Sequence, residues 1–164
     1  MSPVVRDTTF IDQRSPNMAA MFLERVAKSS SHEAFRYPVA DGRPWASLTW
    51  KQTGDRVEKL AAGLLALGLE SEQRVGIASG TRVEWILADL AVMCAGGATT
   101  TVYPSTMSSD VAYILADSEC RIVFAEDDVQ VQKLREHRTE LPHVTKVVGF
   151  DGSQRALVAL KRMT

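Results

Sequence analysis

Residues 74–103, RVGIASGTRVEWILADLAVMCAGGATTTVY, decide the fold class. The run 74–79 is short and apolar and stops at Gly80, as a buried strand does. Thr81 and Glu84 then have the spacing of a capping box, and Val83, Ile86, Leu87, Leu90 and Ala91 recur at helical period. Gly96-Gly97 closes that helix, and residues 98–103, rich in threonine and valine, read as the next strand. A crossover of this length allows the two strands to pair in parallel.

Downstream the same alternation continues. A helix over 109–117 leads to a strand at 121–125, and a helix over 128–140 leads through Pro142 to a strand at 146–150. The pattern predicts an α/β fold, a parallel sheet with helices on both faces. Upstream, Ser15 and Pro16 open a helix that carries Met18, Phe22 and Val26 and ends at Lys28. Residues 34–37 and 45–48 flank Asp41-Gly42, which predicts a small β-hairpin near the N-terminus. Thr49 with Gln52 forms a second capping box, for a helix whose stripe of Val57, Leu60, Ala61, Leu64 and Leu65 ends at Gly68.

Composition excludes several function classes. With 19 basic and 20 acidic residues interspersed, the chain has no field to gather nucleic acid, and no nucleic-acid partner is expected. The longest apolar stretch, 85–97, contains Asp89 and falls short of the roughly 20 residues of a membrane span. Cys94 and Cys120 are too few for a disulfide framework and lack metal-ligand spacing, which favours reduced thiols and a cytoplasmic location.

Ligands of open parallel sheets bind beyond the carboxyl ends of strands, so three loops are candidates. Residues 79–82 place a glycine, a hydroxyl and an arginine at a helix start, suited to a phosphate or to simple capping by Thr81. Residues 104–109 are crowded with hydroxyls that suit a polar ligand, or a cap by Ser108. Glu126, Asp127 and Asp128 suit a divalent cation, or again a cap. His32, His137 and His143 match no metal motif, and His137, on a charged helix, and His143, beside Pro142, are expected at the surface. Cys94 reads as a small buried hydrophobe, and Trp85 as core packing or a substrate platform.

Read in order, Ser47-Leu48-Thr49-Trp50, Gly68-Leu69, Arg74-Val75-Gly76-Ile77, Arg82-Val83-Glu84-Trp85, Asp89-Leu90-Ala91 and Thr101-Val102-Tyr103-Pro104-Ser105-Thr106 resemble the N-terminal region of long-chain fatty-acyl-CoA synthetases, which are adenylate-forming ligases. Tyr113-Ile114-Leu115-Ala116-Asp117-Ser118 and Val123-Phe124-Ala125-Glu126 resemble the continuation. The resemblance runs over about residues 15–150. It implies a full-length enzyme that uses ATP and Mg²⁺ to make an acyl-adenylate, which CoA then converts to the thioester. The family's phosphate loop, adenine motif, ribose-binding aspartate, hinge and catalytic lysine are not found in this sequence.

The resemblance therefore implies a partial N-terminal adenylation subdomain over residues 1–150 and a tail over 151–164. No catalytic residue, metal site or cofactor is expected in it, and the chain alone is expected to be inactive. Tyr103, Pro104, Ser105 and Thr106 are the expected border of the CoA or acyl path. Expected partners are the downstream part of the ligase and a second copy joined through uncovered apolar surface. Peripheral attachment of the full-length enzyme to a membrane is an open alternative to a purely cytoplasmic location. Arg155, Lys161 and Arg162 give the tail a basic character consistent with a frayed end. Two other readings stand beside this one: a flavodoxin-like regulatory module using Asp127 or Asp128, and an interaction domain without chemistry.

Overall fold

The computed structural model describes residues 9–39 and 44–151. In chain order it runs α1 (Thr9–Asp12), α2 (Met18–Lys28), β1 (Glu33–Pro38), β2 (Trp45–Thr49), α3 (Trp50–Ala66), β3 (Arg74–Ala78), α4 (Val83–Cys94), β4 (Ala98–Val102), α5 (Ser108–Asp117), β5 (Ile122–Ala125), α6 (Asp128–Glu136), a 3-10 turn at Arg138–Glu140 and β6 (Lys146–Gly149). β3 to β6 form one parallel sheet of order β4-β3-β5-β6. β1 and β2 pair antiparallel as the expected hairpin.

Period-two side-chain alternation divides the core. Val75 and Ile77 of β3 and Ile122 and Phe124 of β5 pack with α2, α3 and α4 on one face. Val123 and Ala125 of β5, with Val147 of β6, pack with α5 and α6 on the other. Gly76, on the second face, lets α5 come close: a Cβ built there would lie 2.6 Å from Leu115 Cδ2 and 3.3 Å from Val123 Cγ2.

Thr49 ends β2 and caps α3 at once. Its hydroxyl accepts the Gln52 N–H at 3.2 Å, and the Gln52 side-chain oxygen accepts the Thr49 N–H at 2.9 Å, so the box read from the sequence is complete. Gly68, at φ +88°, ends the helix in the left-handed region as expected. Thr49→Ala is expected to lower unfolding stability by about 1 kcal/mol, with Thr49→Ser close to wild type, in urea unfolding followed by circular dichroism. A Thr49→Ala curve superimposable on wild type would remove this role.

Several boundaries differ from expectation. α2 starts at Met18 because Asn17, extended at φ −155°, offers its side-chain oxygen to the Ala20 N–H at 2.8 Å, leaving Ser15 and Pro16 outside the helix. Met18 is exposed, while Phe22 and Val26 reach the core. The short α1 has no counterpart in the periodicity. The helix expected over 128–140 ends at Glu136 and gives way to the 3-10 turn. The Asp41-Gly42 turn, the basic residues Arg155, Lys161 and Arg162 and a short helix over 154–163 lie outside the described residues. Among the described residues no helix is long and apolar enough to cross a membrane.

Candidate functional site

The chain passes from β3 outward to β4 and then back across to β5, so the strand order reverses between β3 and β5. Ligands of open parallel sheets collect at such a reversal, beyond the carboxyl ends of the strands. Here Ala78 and Ala125 end the two strands side by side, followed by residues 79–82 and by Glu126. A groove of about 690 Å³ opens between this edge and the hairpin, walled by Phe35, Tyr37 and Ile86 and rimmed by Arg82, Glu126 and Asp151.

Arg82 is the hub of that rim. Its Nε donates to Glu84 at 2.6 Å, its Nη1 and Nη2 to Asp151, and Nη1 lies 3.7 Å from Glu126 Oε1. Its hydrogen bonds to Asp151 first and Glu84 next raise the guanidinium further above its already high pKa. Glu126 Oε2 also accepts the Gly80 N–H at 2.9 Å. An internal carboxylate therefore occupies the anion position offered by the 79–82 loop, and a phosphate would have to displace it.

The capping box expected for α4 is not formed. Arg82 is the N-cap, without a side-chain cap bond, because Glu84 turns to the guanidinium, a charge-assisted partner that outcompetes a backbone N–H. Thr81 is exposed beside the groove.

The residues expected to border a substrate path, Tyr103, Pro104, Ser105 and Thr106, form a turn between β4 and α5, closed by Thr106 N–H donating to Tyr103 O at 3.0 Å. Tyr103 is 79% exposed and Ser105 is exposed, so both side chains stand at the surface of the turn. Residues 105–108 and α6 enclose a second groove of about 570 Å³, lined by Lys133 among others. Ser108 does not cap α5. Met107 is the N-cap residue, and the Ser108 hydroxyl instead meets His137 Nε2 at 3.2 Å.

Asp127 caps α6, accepting the Gln130 N–H at 3.0 Å. Glu126 is held by Gly80 and Arg82, so two of the three acids considered for a cation are already engaged. No group of three or more His, Cys, Asp or Glu side chains among the described residues is placed to hold a metal ion. These donors do not fit the Mg²⁺ implied by the resemblance.

His137 and His143 are partly buried rather than at the surface. Burial pushes the thiols of Cys94 and Cys120 up, the second partly offset by the Ser118 hydroxyl, so neither is poised as a nucleophile. Trp85 and Cys94 pack, partly buried, against the first core cluster. Residue periodicity gave no sign of Asp151 or Lys133 as contributors, because each acts through a partner distant in sequence.

The profile described as AMP-binding enzyme matches residues 22–161. The chain belongs to the AMP-binding enzyme family. Among relatives of this AMP-binding chain, the long-chain-fatty-acid–CoA ligase FadD15 of Mycobacterium bovis is 30% identical over 137 residues, which cover 84% of this chain and 22% of that protein. The long-chain-fatty-acid–CoA ligase heimdall of Drosophila melanogaster is 33% identical over 121 residues, covering 74% and 18%. The chain thus spans about a fifth of the length of the curated relatives it matches.

Solved structures agree on the fold. The N-terminal domain of FACL13 from Mycobacterium tuberculosis superposes with a TM-score of 0.74 at 20% identity, covering 84% of this chain and 34% of that one. Acetoacetyl-CoA synthetase from Streptomyces lividans gives 0.72 at 25% identity, covering 81% and 22%. The AMP-binding family thus accounts for the parallel sheet and its helices.

Proposed function

We propose that this chain is the N-terminal part of the catalytic domain of an ATP-dependent long-chain fatty-acid–CoA ligase, which activates a fatty acid as the acyl-adenylate and passes it to CoA. The observation that carries this reading is the family match over residues 22–161 together with 30% identity to a long-chain-fatty-acid–CoA ligase. In this reading the sheet is a scaffold, and Tyr103, Pro104, Ser105 and Thr106 border the CoA or acyl path. Their position supports it: the turn leaves the carboxyl end of β4 with Tyr103 and Ser105 exposed. ATP and CoA are substrates of the whole enzyme in this reading.

The test uses a chimera in which residues 22–150 replace the matching segment of FadD15. Fatty-acid-dependent acyl-CoA formation is expected to be retained, whereas the chain alone gives no fatty-acid-dependent exchange of pyrophosphate into ATP. Tyr103→Phe combined with Ser105→Ala is expected to raise KM for CoA or fatty acid by about 3- to 10-fold, the effect of one lost hydrogen bond. A folded but inactive chimera would overturn the scaffold reading. Unchanged Michaelis constants and rate in the double variant would remove the loop from the path.

A further inference from the structure

The turn at residues 103–106 is held from outside. Lys133 Nζ donates to Pro104 O at 2.6 Å and to Thr106 O at 2.8 Å. Two carbonyl oxygens that converge on one spot repel each other unless a donor sits between them, and a cation offsets that repulsion most strongly. A lysine ammonium, with three donors and no acceptor, satisfies that geometry. Gln130 Nε2 adds a longer contact to Pro104 O at 3.4 Å. One turn further along, His137 Nδ1 meets the Glu140 carboxylate at 2.8 Å and its Nε2 meets the Ser108 hydroxyl at 3.2 Å.

Gln130, Lys133 and His137 follow one another at helical spacing on α6 and at its C-cap, and thus share a face. Val131 and Leu134 anchor the same helix in the second core cluster. The backbone carbonyls of the turn are therefore bound to α6, while the Tyr103 and Ser105 side chains remain exposed. Neither β4 nor α5 supplies an equivalent hold on these two carbonyls.

We propose that Lys133 is the positioning residue of the β4–α5 loop: by binding the Pro104 and Thr106 carbonyls it fixes the conformation in which Tyr103 and Ser105 face a substrate. This deepens the assignment of residues 103–106 and rests on it for its functional half. Lys133 itself does not touch the substrate.

Amide hydrogen exchange of the 164-residue chain, resolved by residue, tests the hold independently of activity. Lys133→Met is expected to speed exchange of the Thr106 amide, which donates within the turn, by about tenfold, with Ile77 and Phe124 in the core unchanged. Lys133→Arg, which keeps the charge and donors, is expected to restore most of the protection. In the chimera, Lys133→Met should raise KM for the same substrate that Tyr103→Phe with Ser105→Ala affects, with kcat within about twofold. Unchanged Thr106 exchange, or equal acceleration of turn and core amides, would overturn the proposal. If Thr106 responds while the loop variants are kinetically silent, Lys133 still holds the turn and only the substrate-path reading fails.

Discussion

Leu115→Ala and Gly76→Ala are expected to be damaging singly and partly compensating together. Leu115 is fully buried in α5, and its truncation leaves a void against β3, with an expected loss of about 2–5 kcal/mol. Gly76→Ala introduces a Cβ 2.6 Å from Leu115 Cδ2, closer than two carbons approach, so helix or strand must shift. The overpacking cost is about 1–3 kcal/mol. With Leu115 shortened, the clashing methyl is gone and the added one enters the space it left. The double variant should therefore lose at least about 1 kcal/mol less than the two single losses combined. Urea unfolding of the four proteins reads this directly, and losses additive within error would show that Gly76 is not there to admit α5.

Arg82→Met is the other large effect. It keeps the length and apolar body of the side chain but leaves Glu84, Glu126 and Asp151 converging on no cation. The Arg82 side chain is only 27% exposed, so the expected loss is about 1–3 kcal/mol, between an exposed and a buried ion pair. The deficit should narrow in 1 M salt, which screens the remaining repulsion over about 3 Å. Glu126→Gln should be much milder, because the amide oxygen still accepts the Gly80 N–H. Equal midpoints for Arg82→Met and wild type at low salt would mean that the hub contributes nothing to stability.

What could be read in advance followed how local the signal was. The parallel sheet was legible because strands β3 to β6 announce themselves through short apolar runs separated by amphipathic helices. The Thr49 box was legible because both of its partners lie within three residues. The apparent box at Thr81 and Glu84 had the same spacing and did not form, because Arg82 draws Glu84 away while also binding Asp151, 69 positions along the chain. No periodicity records such a competitor. The turn at 103–106 was found from its place after a strand, but the lysine that holds it, 29 positions beyond Pro104, looked like one more charge on a charged helix. At Ser15 the error was one of competition between neighbours: Asn17 was the better acceptor by geometry.

The double duty of Thr49 has a mechanical meaning. The last residue of β2 is also the cap of α3, so no slack lies between hairpin and helix, and Trp50 immediately wedges against Phe22 and Phe35. The helix that follows packs in turn along α4. The hairpin forms one lip of the larger groove and the start of α4 the other. The width of that groove is therefore tied to how α3 sits on α4, through a junction one residue long.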